Sequence, residues 1–179
     1  MIEANLWTGV PQPDLYFPLN NTIESITNTN LTNSNVTFDS DYAIFNGNSY
    51  LEMPSSIYSM FNQLSSIFTC VWFKTSNTTD CAIWAVGRGS TDMGVWGIDT
   101  AIYGPALNIK NNSDSWDNMN GIAKQGYPDN NWHFVGFYSK SNGVQYAYMD
   151  GNFVINSNTG IFNQSSKTAG RIGIRENGN

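Results

Sequence analysis

Ile67-Phe68-Thr69-Cys70-Val71-Trp72-Phe73-Lys74 is the stretch of sequence on which the fold turns. It is dominated by β-branched and aromatic residues and contains neither Gly nor Pro, which is strand composition. Side chains alternate along a strand, so Phe68, Cys70 and Trp72 share one face and Thr69, Val71 and Phe73 the other. Ser76-Asn77-Thr78-Thr79-Asp80 then turns the chain into a second strand, Cys81 to Gly87.

Outward from this segment the pattern repeats. Short, mostly alternating apolar runs are punctuated about every ten residues, as in an antiparallel sandwich or barrel rather than βαβ units. Asp14 to Leu19 reads as a first strand, and the polar stretch Asn20 to Thr37 as a long loop or a weakly patterned hairpin. Tyr42 to Phe45 and Ser49 to Met53 are strands joined by Asn46-Gly47-Asn48, whose residues suit positive φ. Ile57, Met60, Phe61 and Leu64 fall at helical spacing, which predicts a short helix or single turn capped by Ser55 or Ser56. Val95 to Asp99, Ala106 to Ile109, Trp132 to Ser139, Val144 to Met149, Asn152 to Ile155 and Arg171 to Ile174 complete the strands, with Asp150-Gly151 as a type I′ hairpin signal. Lys110 to Asp129 is the least patterned part, and so long a loop is usually functional or mobile.

Composition narrows the function classes. Charged residues make up 12% of the 179 residues and aromatics 14%, with 6 Trp, 9 Tyr and 10 Phe. An ordinary soluble domain carries about 25% charge. Asn fills much of the gap, at about one residue in seven. Disorder is excluded by 40% hydrophobic content. The net charge of -6 argues against a nucleic-acid partner. No apolar run approaches the ~20 residues of a bilayer span, so membrane insertion is not expected. The length suits one domain, 1–179.

The N-terminus has neither a basic nor an apolar leader region, so no signal peptide is expected. Six Asn-X-Ser/Thr sequons, at Asn20, Asn30, Asn35, Asn77, Asn111 and Asn163, follow from the composition. Cys70 and Cys81 flank an expected hairpin turn, where a bridge is conceivable; two reduced, buried cysteines are the favoured reading.

Several pieces, in order, resemble one family. "AIFNGNSYLEMP" (Ala43 to Pro54), "FTCVWFK" (Phe68 to Lys74), "NWHFVGFY" (Asn131 to Tyr138), "YAYMDGNFV" (Tyr146 to Val154) and "GRIGI" (Gly170 to Ile174) are similar to consecutive strands of laminin-G-like domains. These belong to the concanavalin A-like lectin/glucanase superfamily. The resemblance implies an all-β, two-sheet antiparallel jelly-roll sandwich. Together with the alternation it places Phe45, Phe68, Trp72, Trp132 and Phe134 in the core. Such domains usually close with one more strand after the apolar-Gly segment, and this chain ends at Asn179 without it. The N-terminal segment, the first strand or a partner chain would fill that place, or the sequence is a fragment.

The residues argue against catalysis. Glucanase members carry Glu-x-Asp-x-x-Glu on one strand, and that motif is absent. The Glu residues are Glu3, Glu24, Glu52 and Glu176, none paired at that spacing. His133, the single histidine, is read as structural. One His and two separated Cys do not make a zinc site of the usual kind. Calcium takes carboxylate and carbonyl oxygens; Asp39 with Asp41, and Asp114 with Asp117, are the candidate pairs, with solvated turn aspartates as the alternative.

Sugar recognition pairs an aromatic ring with the apolar face of a pyranose and uses amides and carboxylates for the hydroxyls. Trp96, Tyr103, Asn111, Asn112, Asp114, Trp116, Asp117 and Tyr127 supply that mixture in and before the long loop. The alternative is that Trp116 only anchors the loop. These readings lead to a non-catalytic recognition or assembly module. The favoured setting is an exposed virion protein (capsid decoration, head fibre or tail) that contacts other virion proteins or itself and can bind a host-surface carbohydrate or receptor. The alternative is an adhesion domain of a larger extracellular protein, or a spacer within one.

Overall fold

The computed structural model describes residues 12–77, 81–87, 96–101, 104–110, 116–119, 128–157, 162 and 166–173. The strands, in chain order, are β1 (Ile23–Glu24), β2 (Thr29–Asn30), β3 (Thr32–Ser34), β4 (Thr37–Phe38), β5 (Ala43–Ile44), β6 (Tyr50–Glu52), β7 (Ser66–Lys74), β8 (Cys81–Gly87), β9 (Trp96–Ala101), β10 (Gly104–Lys110), β11 (Trp116–Met119), β12 (Trp132–Lys140), β13 (Val144–Met149), β14 (Asn152–Ser157) and β15 (Ala169–Ile172). A short helix, α1 (Ser55–Tyr58), runs into a 3-10 turn, Ser59–Phe61, between β6 and β7.

Two antiparallel sheets dominate. One has seven strands in the order β11-β10-β9-β8-β15-β6-β3, the other four in the order β14-β13-β12-β7. Two small ribbons, β1-β2 and β4-β5, complete the described pairing. The chain is therefore an all-β, two-sheet antiparallel sandwich, one of the two architectures the alternation allows and the one the resemblance implies. Its core draws on both sheets: Leu51, Val86 and Ile172 from the larger, Phe73, Val135, Phe137, Ala147 and Met149 from the smaller. Each large apolar side chain buried there contributes about 1.5–3 kcal/mol. Ile57 and Phe61 fix the helical turn onto this core. Gly170 of β15 lets it approach closely, because a Cβ there would lie 3.1 Å from the Tyr58 Cβ.

Several expectations are corrected. Asp14 to Leu19 is not a strand. Pro13 and Pro18 lack N–H donors, and the Tyr16 N–H donates to the Glu24 side chain instead of a ladder (2.6 Å). Strands β5 and β6 are not a hairpin: β5 pairs with β4, and β6 lies between β15 and β3. Gly47 has φ 90, so its left-handed turn redirects the chain between sheets. β7 and β8 likewise lie in different sheets, so the Ser76–Asp80 connection is not a hairpin turn. Cys70 is a free, exposed thiol rather than a buried one. The helix is capped by Pro54, with no side-chain hydrogen bond, not by Ser55 or Ser56. The Asp150-Gly151 turn forms as expected, with φ of 48 and 85. Within Lys110 to Asp129, Trp116–Met119 forms β11. β15 sits inside the larger sheet, between β8 and β6. The N-terminal segment, one candidate for the closing strand, and residues 174–179 lie outside the described residues.

Candidate functional site

The largest correction concerns which face of the smaller sheet is buried. Both faces of β7 are rich in apolar residues, so alternation separates them without saying which one turns inward. Phe73 is 8% exposed, whereas Phe68 is 67% and Trp72 63% exposed. On the neighbouring strand, His133, Val135, Phe137 and Ser139 are buried, and Trp132 is exposed. Phe68, Trp72, Trp132 and Phe134 thus lie on the outward face, not in the core; Phe45 alone of the five packs against it.

Register turns that outward face into three rungs running across the strands. Phe68 pairs with Tyr138, and Tyr138 with Tyr146. Cys70 pairs with Gly136, Gly136 with Tyr148, and Tyr148 with Phe153. Trp72 pairs with Phe134. The rings support one another. Tyr138 and Tyr146 stack at 5.9 Å and 24°, Tyr146 and Phe153 at 5.7 Å and 21°. Tyr148 and Phe153 stand 4.8 Å apart, Trp72 and Phe134 5.4 Å. Such contacts favour defined ring orientations. Lys74 and Lys140 mark the two ends of the β7–β12 ladder. Sequence reasoning missed this site because it assigned the rings to the core. The available signal was the even spacing in Tyr146/Tyr148 (two residues) and Phe134/Tyr138 (four residues), which puts a second aromatic set on one face.

Cys70 and Gly136 carry no large side chain; Gly136 is buried, with the Phe134 ring against it. A Cβ placed on Gly136 would lie 3.6 Å from the Phe134 Cε1 and 3.7 Å from the Cys70 Cβ, ordinary contact distances. Burial pushes the Cys70 thiol pKa up.

His133 faces the other way. It is 4% exposed, with Nδ1 2.7 Å from Asp150 Oδ2 and Nε2 2.8 Å from Asp129 Oδ1. The hydrogen bond from His133 holds Asp129 well below the usual carboxylate range, helped by the Asn131 N–H. Both ring nitrogens are engaged and the ring is buried, so its geometry is that of a structural tie.

Asp39 and Asp41 close the turn between β4 and β5. Asp39 Oδ1 accepts from the Ser40 N–H (2.6 Å) and hydroxyl (3.3 Å), and Asp41 Oδ2 from the same hydroxyl (3.2 Å). The Ser40 N–H is the main reason the Asp39 carboxyl titrates low. Calcium takes six to eight oxygens, and no group of three or more His, Cys, Asp or Glu is assembled among the described residues. The pair's donor bonds fit a turn rather than a calcium cage.

Of the loop residues selected from sequence, the backbone brings three to one corner of the larger sheet. Trp96 and Asp117 pair with Ile109 from opposite sides, and Trp116 pairs with Lys110. Tyr103, Asn111, Asn112, Asp114 and Tyr127 lie outside the described residues.

No family model matches the chain, and no curated protein matches it. Solved structures do. The receptor-binding domain of botulinum neurotoxin mosaic serotype C/D has a TM-score of 0.62 at 14% identity, over 89% of this chain and 42% of that one. A structure of botulinum neurotoxin type C, whose cell entry depends on interaction with two ganglioside molecules, gives 0.61 at 15%, over 90% and 43%. The binding domain of botulinum neurotoxin DC in complex with SialylT gives 0.57 at 14%, over 90% and 43%. The chain spans about two-fifths of the length of these neighbours, and the likeness is one of fold.

Proposed function

We propose that this chain is a non-catalytic recognition module that binds carbohydrate. The observation that carries the reading is the outward aromatic face of the four-stranded sheet. Exposed rings on a rigid scaffold, with phenol hydroxyls among them, suit the alternating apolar and hydroxylated surface of a sugar. Fold neighbours that engage gangliosides or SialylT support the reading by analogy. The engaged, buried His133 and the lack of a glucanase motif favour binding over hydrolysis. In this reading Trp96, Trp116 and Asp117, with Tyr103, Asn111, Asn112, Asp114 and Tyr127, form a loop-borne subsite, and the sheet face is a second surface of similar chemistry. The proposed setting is the exposed surface of a virion, in contact with other virion proteins or further copies of the chain, with an extracellular adhesion protein as the alternative.

Binding of the wild-type protein to an immobilised glycan array tests the recognition reading. Signal on carbohydrate above background is expected, and silence across a broad array overturns it. Detection of the chain in purified particles by mass spectrometry tests the virion setting.

A further inference from the structure

We infer that the outward aromatic face of the four-stranded sheet also docks a second copy of this chain, face to face about a two-fold axis, and that carbohydrate and the second copy compete for it. The interface rests on the exposure and chemistry of the rings; the competition rests on the carbohydrate reading above.

Exposure sets the size of the patch. Phe68 and Trp72 are 67% and 63% exposed, Trp132 47%, Phe153 46% and Tyr148 45%. At about 200 Å² for each aromatic side chain, these five rings present about 500 Å². The half-buried Phe134, Tyr138 and Tyr146 of the same face bring the total to about 600 Å². Tyr42, whose ring meets Trp132 edge-on at 5.5 Å, continues the patch toward the β4–β5 ribbon. An apolar patch on a monomer rarely exceeds about 600 Å². Two such faces together bury about 1,200 Å², which reaches the lower bound of a stable specific interface. A few sugar rings cover part of this face, whereas a second copy covers all of it.

Self-complementarity selects the same chain as the partner. A two-fold interface sets one patch against itself, so a charge at its centre would meet its like. Between the rungs that carry Lys74 and Lys140, the outward positions of β7 and β12 are Phe68, Cys70, Trp72, Phe134, Gly136 and Tyr138, and none is charged. Tyr146, Tyr148 and Phe153 carry these rungs on across β13 and β14. Aromatic enrichment with charge kept to the rim is the composition of an interface core. The stacked Tyr138, Tyr146 and Phe153 rings lose little freedom on docking. An area at the lower bound makes the dimer weak, with a dissociation constant of about 1–100 µM. Below that concentration the face is open to sugar. Linkage then requires that sugar dissociate the dimer and that the dimer weaken sugar binding by the same factor.

Sedimentation equilibrium from about 1 to about 200 µM protein tests the interface. Wild type is compared with Trp72→Ala, with Phe68→Lys, which sets like charges against each other, and with Met60→Ala, an exposed residue of the 3-10 turn outside this face. Thermal unfolding confirms that each variant is folded. Wild type and Met60→Ala are expected to pass from monomer to dimer across the range. Trp72→Ala and Phe68→Lys should raise the dissociation constant about tenfold or more, as loss of a central aromatic anchor does. Saturating oligosaccharide, the strongest binder on the glycan array, should return wild type to monomer. A wild type that stays at 19.9 kDa throughout overturns the inference, while array binding still decides the carbohydrate reading by itself. A dimer that forms equally well in Trp72→Ala and Phe68→Lys lies on another surface and also overturns it. So does a monomeric wild type that co-sediments with phosphatidylcholine vesicles unless Trp72 is replaced, which gives the face to lipid. A dimer weakened by both variants in a protein that binds no glycan upholds the interface while the carbohydrate reading fails. A dimer that saturating oligosaccharide leaves intact overturns the competition.

Discussion

His133 and Asp150 tie the β13–β14 turn to the start of β12. Nδ1 stands 2.7 Å from Asp150 Oδ2, while Asp150 Oδ1 accepts the Phe134 N–H at 3.0 Å. Asp129 completes the clamp on Nε2. The residues on either side of His133, Trp132 and Phe134, belong to the outward aromatic face, so the clamp fixes the backbone beneath the proposed site.

This clamp gives an acid-sensitive contribution to stability. The folded-state pKa of Asp129 lies below its unfolded value. Such a group stabilises the fold above its unfolded pKa, about 4, and the contribution is lost as pH falls through the folded value. The urea midpoint should therefore fall on acidification below about pH 4. In Asp129→Asn that fall should be shallower, with a lower midpoint at neutral pH. Equal pH profiles for the two proteins would show that the His133 contact does not act on Asp129 as described.

Glu24 should be intolerant of substitution. It is a 0% exposed carboxylate that accepts from the N–H groups of Tyr16, Ile26 and Thr27 and from the Thr27 hydroxyl. Burial pushes its pKa up, but these hydrogen bonds outweigh it and the net shift is downward. Glu24→Gln replaces an acceptor oxygen with a donor NH₂ that faces other donors. A loss of about 2–3 kcal/mol is expected in denaturant unfolding. A change below about 0.5 kcal/mol would mean that the Asn20–Thr37 segment is not organised by this side chain.

The inverted face of β7 is tested by two phenylalanines on one strand. Phe73→Ala should cost about 3–5 kcal/mol, as core truncations do. Phe68→Ala, on the solvent side, should stay within about 1 kcal/mol. The opposite ranking would return Phe68 and Trp72 to the core and remove the aromatic site.

The residues explain what was legible in the sequence. β7 and β12 announce themselves because their long runs alternate without Gly or Pro until Gly136. Asp150-Gly151 marks a hairpin because both positions need positive φ, and both have it. The pairs β1-β2 and β4-β5 are two residues per strand, too short to show any period. The bonds that hold that region run through the Glu24 and Asn33 side chains, as in Asn33 Oδ1 accepting the Val36 N–H at 2.8 Å. β11 was hidden because Trp-Asp-Asn-Met has no strand preference of its own and gains its form from pairing with β10. The aromatic site stayed unread because a strand with apolar residues on both faces carries no label for inside. Only the partner strand's buried Val135 and Phe137 decide it.

The central claim, that carbohydrate covers the outward aromatic face of the four-stranded sheet, is most directly measured at Cys70, whose thiol is exposed on that face. The rate of its alkylation by iodoacetamide, assigned to the Cys70 peptide by mass mapping, is compared with and without the strongest-binding oligosaccharide from the array. The account predicts a rate severalfold slower at saturating sugar, and no slowing with an array sugar that does not bind. An unchanged Cys70 rate at saturation would contradict it.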